Sequence, residues 1–159
     1  MKTVGILLVL AGSTWIAAED MRSRRKVLAL LQELANALDE METYVRWKRE
    51  TLPNIIAQQV ERPLSGSYFA SVLDGLKDGL PMESAWKQAF TQLQPREAGE
   101  CLCRVELCGD EQHLMGNLHL ASETLRQLRQ EWKEKQREEE KLHLAMVFSG
   151  AGILIILLI

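Results

Sequence analysis

The last fifty residues constrain the fold more than any other stretch, because they have the pattern of one continuous helix with three zones. Residues 133–141 are polar on every side, and residues 142–159 are apolar except for His143 and Ser149. Before them, apolar residues follow the alternating four-and-three spacing of a helix that packs against a partner helix. These positions are Leu114, Leu118, Ala121, Leu125, Leu128 and Trp132. We therefore expect a packed helical body, a solvated stalk and a segment suited to lipid.

A second heptad pattern near the start of the chain matches the first in length. Its positions are Val27, Leu31, Leu34, Leu38, Met41 and Val45. It begins nine residues after Ala18, and the first pattern ends ten residues before Leu142. We expect an antiparallel pair in which the numbers of opposing residues add up to about 159, with an uncertainty of roughly one turn. Arg25 would then lie beside Glu134.

Prolines and glycines divide the stretch between the two long helices into shorter segments. The expected helices run from Thr51 to Pro63, from Ser67 to Gly79, over 82–93 and over 96–108. Gly109-Asp110 ends the last of these and is expected to cap the long helix that follows. Trp86 shares an apolar helix face with Ala85, Ala89 and Phe90, so we expect it in the core. The predicted fold is all-α, a helical bundle of about six helices built on the long antiparallel pair, with N- and C-terminal transmembrane segments.

Both ends of the chain have the composition of membrane helices. Residues 3–18 carry no charge and would span about 24 Å as a helix, and residues 142–159 would span about 27 Å. A cleaved signal peptide is the alternative for 3–18, although Trp15 is bulky for a position near a cleavage site. We favour two membrane helices on either side of a helical domain of residues 19–141.

Charge predicts which side of the membrane this domain occupies. The domain has 22 acidic and 18 basic residues, a net charge of −4, which argues against nucleic-acid binding. The basic residues beside the two apolar segments are Arg22, Arg24, Arg25, Lys26, Lys133, Lys135, Arg137 and Lys141. Only Lys2 lies on the other side of either segment, so the positive-inside rule places the domain in the cytoplasm and both termini across the membrane.

Small residues fall on single faces of the two apolar segments. They are Gly5, Gly12, Ala145, Ser149 and Gly152. Because small faces allow membrane helices to approach closely, we expect these residues to pack the two segments together. Contact with another subunit, which would make the chain a homo-oligomer, is the alternative.

The residues that carry chemistry do not form a recognisable constellation. Cys101, Cys103, Cys108 and His113 have the composition of a zinc site, but on one helix Cys103 points roughly 200° away from Cys101. The sequence has no phosphate-binding glycine loop and no nucleophile in a known motif. We therefore predict no catalytic residue, no metal site and no cofactor.

A cluster of basic residues and one tryptophan follows the first heptad pattern. It consists of Arg46, Trp47, Lys48 and Arg49. The antiparallel pair places this cluster at the tip of the bundle, away from both termini, where Arg and Trp are favoured contacts for a partner protein. The alternative is that the cations complement the end of a helix while Trp47 packs on the core.

Several short motifs in a fixed order resemble those of stage III sporulation protein AB. They are Gly12-Ser13-Thr14-Trp15, the basic cluster at 22–26, Leu52-Pro53, Ala85-Trp86, Asp110 at a helical hairpin, and Phe148-Ser149-Gly150-Ala151-Gly152. The resemblance covers the whole chain. The sequence departs from the family pattern at Thr51, where proline is typical, and at Leu107-Cys108 and Leu114, where the family has Leu-Gly and Gln.

The resemblance implies a role in endospore formation. Members of this family lie in the mother-cell membrane around the forespore and belong to the channel complex that joins the two cells. Their soluble domain is similar to cytoplasmic helical domains of type II secretion and type IV pilus platform proteins. The resemblance thus implies a non-enzymatic scaffold whose partners are a sporulation ATPase resembling secretion ATPases and other channel-complex membrane proteins. A membrane-tethered helical regulator that sequesters a soluble partner is the alternative.

Overall fold

A computed structural model describes the backbone of residues 2–48 and 50–158, and the side chains of 22–48, 50–139 and 141–142. The six helices are α1 (Lys2–Lys48), α2 (Leu52–Gln59), α3 (Gly66–Lys77), α4 (Met82–Phe90), α5 (Arg96–Cys103) and α6 (Glu111–Leu158). No strand occurs within these ranges. The prediction of an all-α fold with about six helices is confirmed.

The two long helices, α1 and α6, form an antiparallel pair. Among the described side chains three ion pairs join them, and residue numbers rise along one helix as they fall along the other. The pairs are Arg24–Glu139, Asp39–Arg126 and Glu42–His119. Their residue numbers add up to between 161 and 165, two to six more than expected, so the register is shifted by up to about 1.7 turns and exceeds the expected uncertainty of one turn. Glu134 accepts a hydrogen bond from Gln130 (2.8 Å) and not from Arg25.

Both heptad patterns form the buried seam of this pair. The members that are less than one-tenth exposed are Leu31, Leu34, Leu38, Met41, Val45, Leu118, Ala121 and Leu125. Val27, Leu114 and Leu128, towards the ends of the two patterns, are partly buried. The seam residues therefore contribute most of the apolar contact between α1 and α6, whereas the exposed ion pairs add no more than about 1 kcal/mol each.

The shorter helices begin and end where the sequence supplies suitable residues. Pro53 lies in the first turn of α2, where its missing N–H costs no hydrogen bond. Gly79 follows α3 with a φ of 85°, a conformation that favours glycine. The Asp110 carboxylate accepts a hydrogen bond from the backbone N–H of His113 (2.9 Å) and so caps α6 as predicted.

The predicted helix over 96–108 is wrong beyond Cys103, where α5 ends. In the following segment buried Val105 and Leu107 alternate with exposed neighbours, which is the period of an extended chain. A helix would turn Val105 and Leu107 about 200° apart and could not bury both on one side. The predicted helix over 82–93 also ends early, at Phe90.

Trp86 lies at the centre of the layer formed by α2–α5. It is completely buried, and its ring centroid lies 4.7 Å from that of Phe90 and 6.1 Å from that of Phe69. Its indole Nε1 donates a hydrogen bond of 2.9 Å to the carbonyl oxygen of Leu102. Because the indole N–H has a hydrogen-bond partner, burial of this large ring leaves no polar atom of Trp86 without a hydrogen bond.

Glu33 on α1 fastens the turn between α2 and α3. Its carboxylate accepts hydrogen bonds from the backbone N–H groups of Leu64 (3.0 Å) and Ser65 (2.7 Å) and from the Ser65 hydroxyl (2.8 Å). Burial works against the charged form, but these bonds and the nearby Arg62 outweigh it and hold the pKa of Glu33 below its ordinary value. The turn also needs Gly66, since an added Cβ would lie 2.1 Å from the Val60 carbonyl oxygen.

The expected membrane segments lie almost wholly outside the residues whose side chains the structure describes. Only Leu142 of the segments 3–18 and 142–159 falls inside them. Within the described part of the chain, no helix has both the length and the apolar composition needed to cross a bilayer. The division of the chain into 3–18, 19–141 and 142–159 stays a prediction.

Replacing Trp86 by alanine should lower the free energy of unfolding by about 3–5 kcal/mol, because it leaves a large cavity in the core. Urea unfolding followed by circular dichroism measures the change. Trp47→Ala is the matched control: this ring is 77% exposed, so its removal should change stability by less than about 0.5 kcal/mol. Equal effects of the two substitutions would contradict the buried position of Trp86.

Replacing Glu33 by glutamine should cost about 1–2 kcal/mol at neutral pH, because the charged acceptor of three hydrogen bonds is lost. Since the folded pKa of Glu33 is lowered, its contribution is complete above the ordinary pKa of 4.5 and is lost as pH falls through the folded pKa. Unfolding of both proteins, measured from pH 7 downwards, should show the difference shrinking in acid. The exposed neighbour Glu61, changed to Gln, should show no such difference, and a pH-independent gap for Glu33→Gln would refute the account.

Candidate partner-binding tip

The tip of the bundle is the end at which α1 stops and α6 begins. The sequence predicted a partner contact there at Arg46, Trp47, Lys48 and Arg49. The first three are the exposed last residues of α1, and Arg49 lies outside the described residues. The Trp47 ring is 77% exposed and lies outside the core. The alternative, in which Trp47 packs on the core, is therefore wrong.

Neighbouring side chains hold the two cations on either side of Trp47. Arg46 forms an ion pair with Glu42 (2.6 Å), which also lies 3.2 Å from the imidazole of His119 on α6. The Lys48 ammonium lies 4.2 Å from the centroid of the Tyr44 ring, a cation–π contact. The exposed indole of Trp47 is thus flanked by positive charges whose positions are fixed, an arrangement suited to contact with another protein.

A cleft of about 440 Å³ opens at the same end of the bundle. Its lining residues are Val45, Glu50, Leu52, Gly109, Asp110, Glu111 and Leu114. Val45, Leu52 and Leu114 are buried or partly buried and supply its apolar surface, and three carboxylates supply its charge. The tip therefore presents an exposed aromatic ring with cations and, separately, an acidic apolar cleft.

Sequence reasoning missed this cleft, because its residues come from two stretches far apart in the sequence, 45–52 and 109–114. Two of its acids already have structural roles: Asp110 caps α6, and Glu50 accepts a hydrogen bond from Gln58 (2.7 Å). Acidic residues at 110 and 111 are also favourable at a helix N-terminus. The antiparallel pairing is enough to place Asp110 and Glu111 beside the end of α1, because α6 begins where α1 ends.

The three cysteines do not converge on one point. Cys101 and Cys103 are partly buried on α5, and Cys108 is exposed on the extended segment that follows. Burial raises the pKa of the Cys101 thiol, and the nearby Glu83 carboxylate raises that of Cys108, so both favour the protonated form at neutral pH. Among the described residues, no group of three histidine, cysteine or acidic side chains is placed to hold a metal ion.

The predicted contact faces of the membrane segments lie outside the described part of the chain. They comprise Gly5, Gly12, Ala145, Ser149 and Gly152, all of which lie outside the described side chains. Their role in packing the two segments stays a prediction.

Comparison with known proteins identifies the chain at the level of the family. Neither the curated proteins nor the solved structures contain a match. The family model of stage III sporulation protein AB, in contrast, matches residues 2–159, which is essentially the whole chain. It extends over the tip, the layer of short helices and both long helices. The protein therefore belongs to the stage III sporulation protein AB family.

Proposed function

We propose that the protein is a non-enzymatic scaffold of the membrane complex that forms the channel between mother cell and forespore. The observation that carries this proposal is the family match over residues 2–159, which makes the chain a sporulation protein. The fold supports it, because the long antiparallel pair offers an extended, rigid support, and the described cavities gather no set of groups suited to acid–base or nucleophilic chemistry.

The proposed location is the mother-cell membrane around the forespore, with residues 3–18 and 142–159 as membrane helices. The domain 19–141 would face the mother-cell cytoplasm. Charge supports this orientation, since Arg22, Arg25 and Lys26 are exposed on α1 beside the first of these segments. From residue 22 to the end of α1 at Lys48 the helix would extend about 40 Å, which sets the distance from membrane to tip.

The proposed partners at the tip are a sporulation ATPase and, along the rest of the scaffold, other membrane proteins of the channel complex. An ATPase in the mother-cell cytoplasm would meet the tip first, because the tip is the part of the domain farthest from the membrane. Trp47 supports this choice, since an exposed indole held between Arg46 and Lys48 is the kind of residue on which binding energy concentrates.

Thiol labelling tests the topology, because Cys108 is a native exposed reporter on the domain. In right-side-out vesicles a membrane-impermeant maleimide should leave Cys108 unlabelled until the membrane is permeabilised. A cysteine introduced at Lys2, in a variant with Cys108→Ser, should react from outside. Labelling of the partly buried thiols Cys101 and Cys103 gives the background signal for both the wild-type protein and the variant. Labelling of Cys108 from the outside would refute the proposed orientation.

Replacing Arg46, Trp47 and Arg49 together by alanine should weaken the association with the ATPase at least about tenfold, since truncation of an interface tryptophan or arginine commonly costs more than 1.4 kcal/mol. Affinity purification from sporulating cells, with the co-purified proteins identified by mass, measures this loss. Helix content should be unchanged, because the exposed side chains of Arg46 and Trp47 contribute nothing to the core.

The matched control changes three exposed cations elsewhere, Lys77, Lys87 and Arg104, to alanine. Undiminished ATPase binding by the folded tip variant would remove the tip as the docking site. Co-purification of one soluble protein without channel components would instead favour a membrane-tethered regulator that sequesters a partner.

A further inference from the structure

The cleft at the tip has an apolar floor and an acidic rim. Its floor is formed by side chains that are buried or partly buried, those of Val45, Leu52 and Leu114. Its described lining residues include no cation, whereas they include three carboxylates, those of Glu50, Asp110 and Glu111. Its volume of about 440 Å³ lies within the range of roughly 300–1,000 Å³ that is usual for binding sites.

The three carboxylates have hydrogen-bonding capacity that the chain itself does not use. Asp110 accepts one hydrogen bond from the His113 backbone N–H, and Glu50 accepts one from the Gln58 amide. An ionised carboxylate has two oxygens with about four lone-pair sites, so both retain free acceptor sites. Glu111 is exposed and forms no hydrogen bond or ion pair with any other described side chain. The rim can therefore accept several donors from another molecule.

Helix dipoles do not cancel the negative charge of the rim. The end of α1 contributes about −0.5 of an elementary charge, and the starts of α2 and α6 contribute about +0.5 each. Their sum is small beside three unit negative charges. The described cations at the end of α1 are held elsewhere, Arg46 by Glu42 and Lys48 by the Tyr44 ring, and neither lines the cleft. The cleft therefore favours a positively charged ligand.

The spacing of the carboxylates and the apolar floor indicate which kind of cation fits. Among the described residues, no three acidic or metal-ligating side chains are close enough together to hold one metal ion. Lipid headgroups and nucleic acids that carry negative charge would be repelled. A lysine or arginine side chain combines an aliphatic stem with a cationic head, which matches an apolar floor below an acidic rim.

We propose that the cleft binds a lysine or arginine side chain from the protein that docks at the tip. The methylene groups of that side chain pack on Leu52 and Leu114, and its cationic head donates hydrogen bonds to the carboxylates of the rim. Trp47, which is exposed at the same end of the bundle, offers a second contact to neighbouring residues of the partner, a contact that a small free amine could not use. This inference rests on the proposed docking at the tip and states what the docking surface recognises.

Affinity purification of the full chain from sporulating cells tests the contact, with the co-purified ATPase quantified by mass spectrometry. Changing Glu50 and Glu111 together to lysine should lower the amount of ATPase at least about tenfold, because repulsion replaces attraction at both positions. Changing the same two residues to glutamine adds no positive charge and should give a smaller loss. Asp110 is left unchanged, because it caps α6.

Salt provides a second measurement on the same complexes. Raising the salt concentration from about 0.05 M to about 0.5 M should release more ATPase from the wild-type protein than from the glutamine variant, because screening weakens only the contacts between charges. An equal effect of salt on the two proteins would contradict a cation in the cleft.

The matched control changes Glu61 and Glu131 to lysine, since both are exposed and the net charge changes by the same amount. Glu131 lies on α6 about 30 Å from Glu111 along the helix axis. The control should keep the ATPase, and circular dichroism should show the same helix content in all variants. An equal loss in the control would overturn the inference, because net charge and not the cleft would then be responsible.

The tip variant with alanine at 46, 47 and 49 separates failure of this inference from failure of the proposed docking. If that variant loses the ATPase while both cleft variants keep it, the cleft is not the recognition site and docking at the tip stands. If all of these variants keep the ATPase, or if the wild-type protein co-purifies none, both the inference and the proposed docking are overturned.

Discussion

The antiparallel contact between α1 and α6 is the interaction on which the rest of the structure depends. Its buried residues recur every three or four positions on both helices, so the contact has no gap at which one helix could bend away from the other. Of the short helices, α2 packs against α1 and α5 packs against α6, and α3 and α4 are attached through them. Glu33 on α1 holds the turn between α2 and α3, and the Asn117 side chain on α6 donates a hydrogen bond to the Glu106 carbonyl.

The four short helices would not be stable by themselves. They have between 8 and 12 residues, a length at which isolated helices are marginal in water. The aromatic group of Trp86, Phe69 and Phe90 supplies their common core, and the Trp86–Leu102 hydrogen bond joins α4 to the end of α5. The tip owes its shape to this layer, because the layer determines where the chain leaves α1 and where it enters α6.

What could be predicted from sequence is what repeats or is local. The seam has six regularly spaced positions on each long helix, and the Asp110 cap concerns residues three positions apart, so both were predicted. The extended segment around Val105 and Leu107 offers only two alternating residues, too few to override helical spacing. The contacts of Glu33 with the turn at Ser65 span 32 residues, and the tip cleft combines residues 45–52 with residues 109–114, so neither leaves a local pattern.

The distances in sequence between paired residues determine the order in which the chain can assemble. The ion pairs between α1 and α6 join residues 77, 87 and 115 positions apart, whereas Trp86 and Leu102 are 16 apart. Closing the shorter loops costs less entropy, which favours contacts within the layer of short helices over the α1–α6 contact early in folding. During synthesis the apolar side of α1 therefore waits until residues 49–110 and most of α6 have left the ribosome. A nascent chain of this protein carries an uncovered heptad face for that interval, and exposed apolar surface of this kind makes an incomplete chain prone to association.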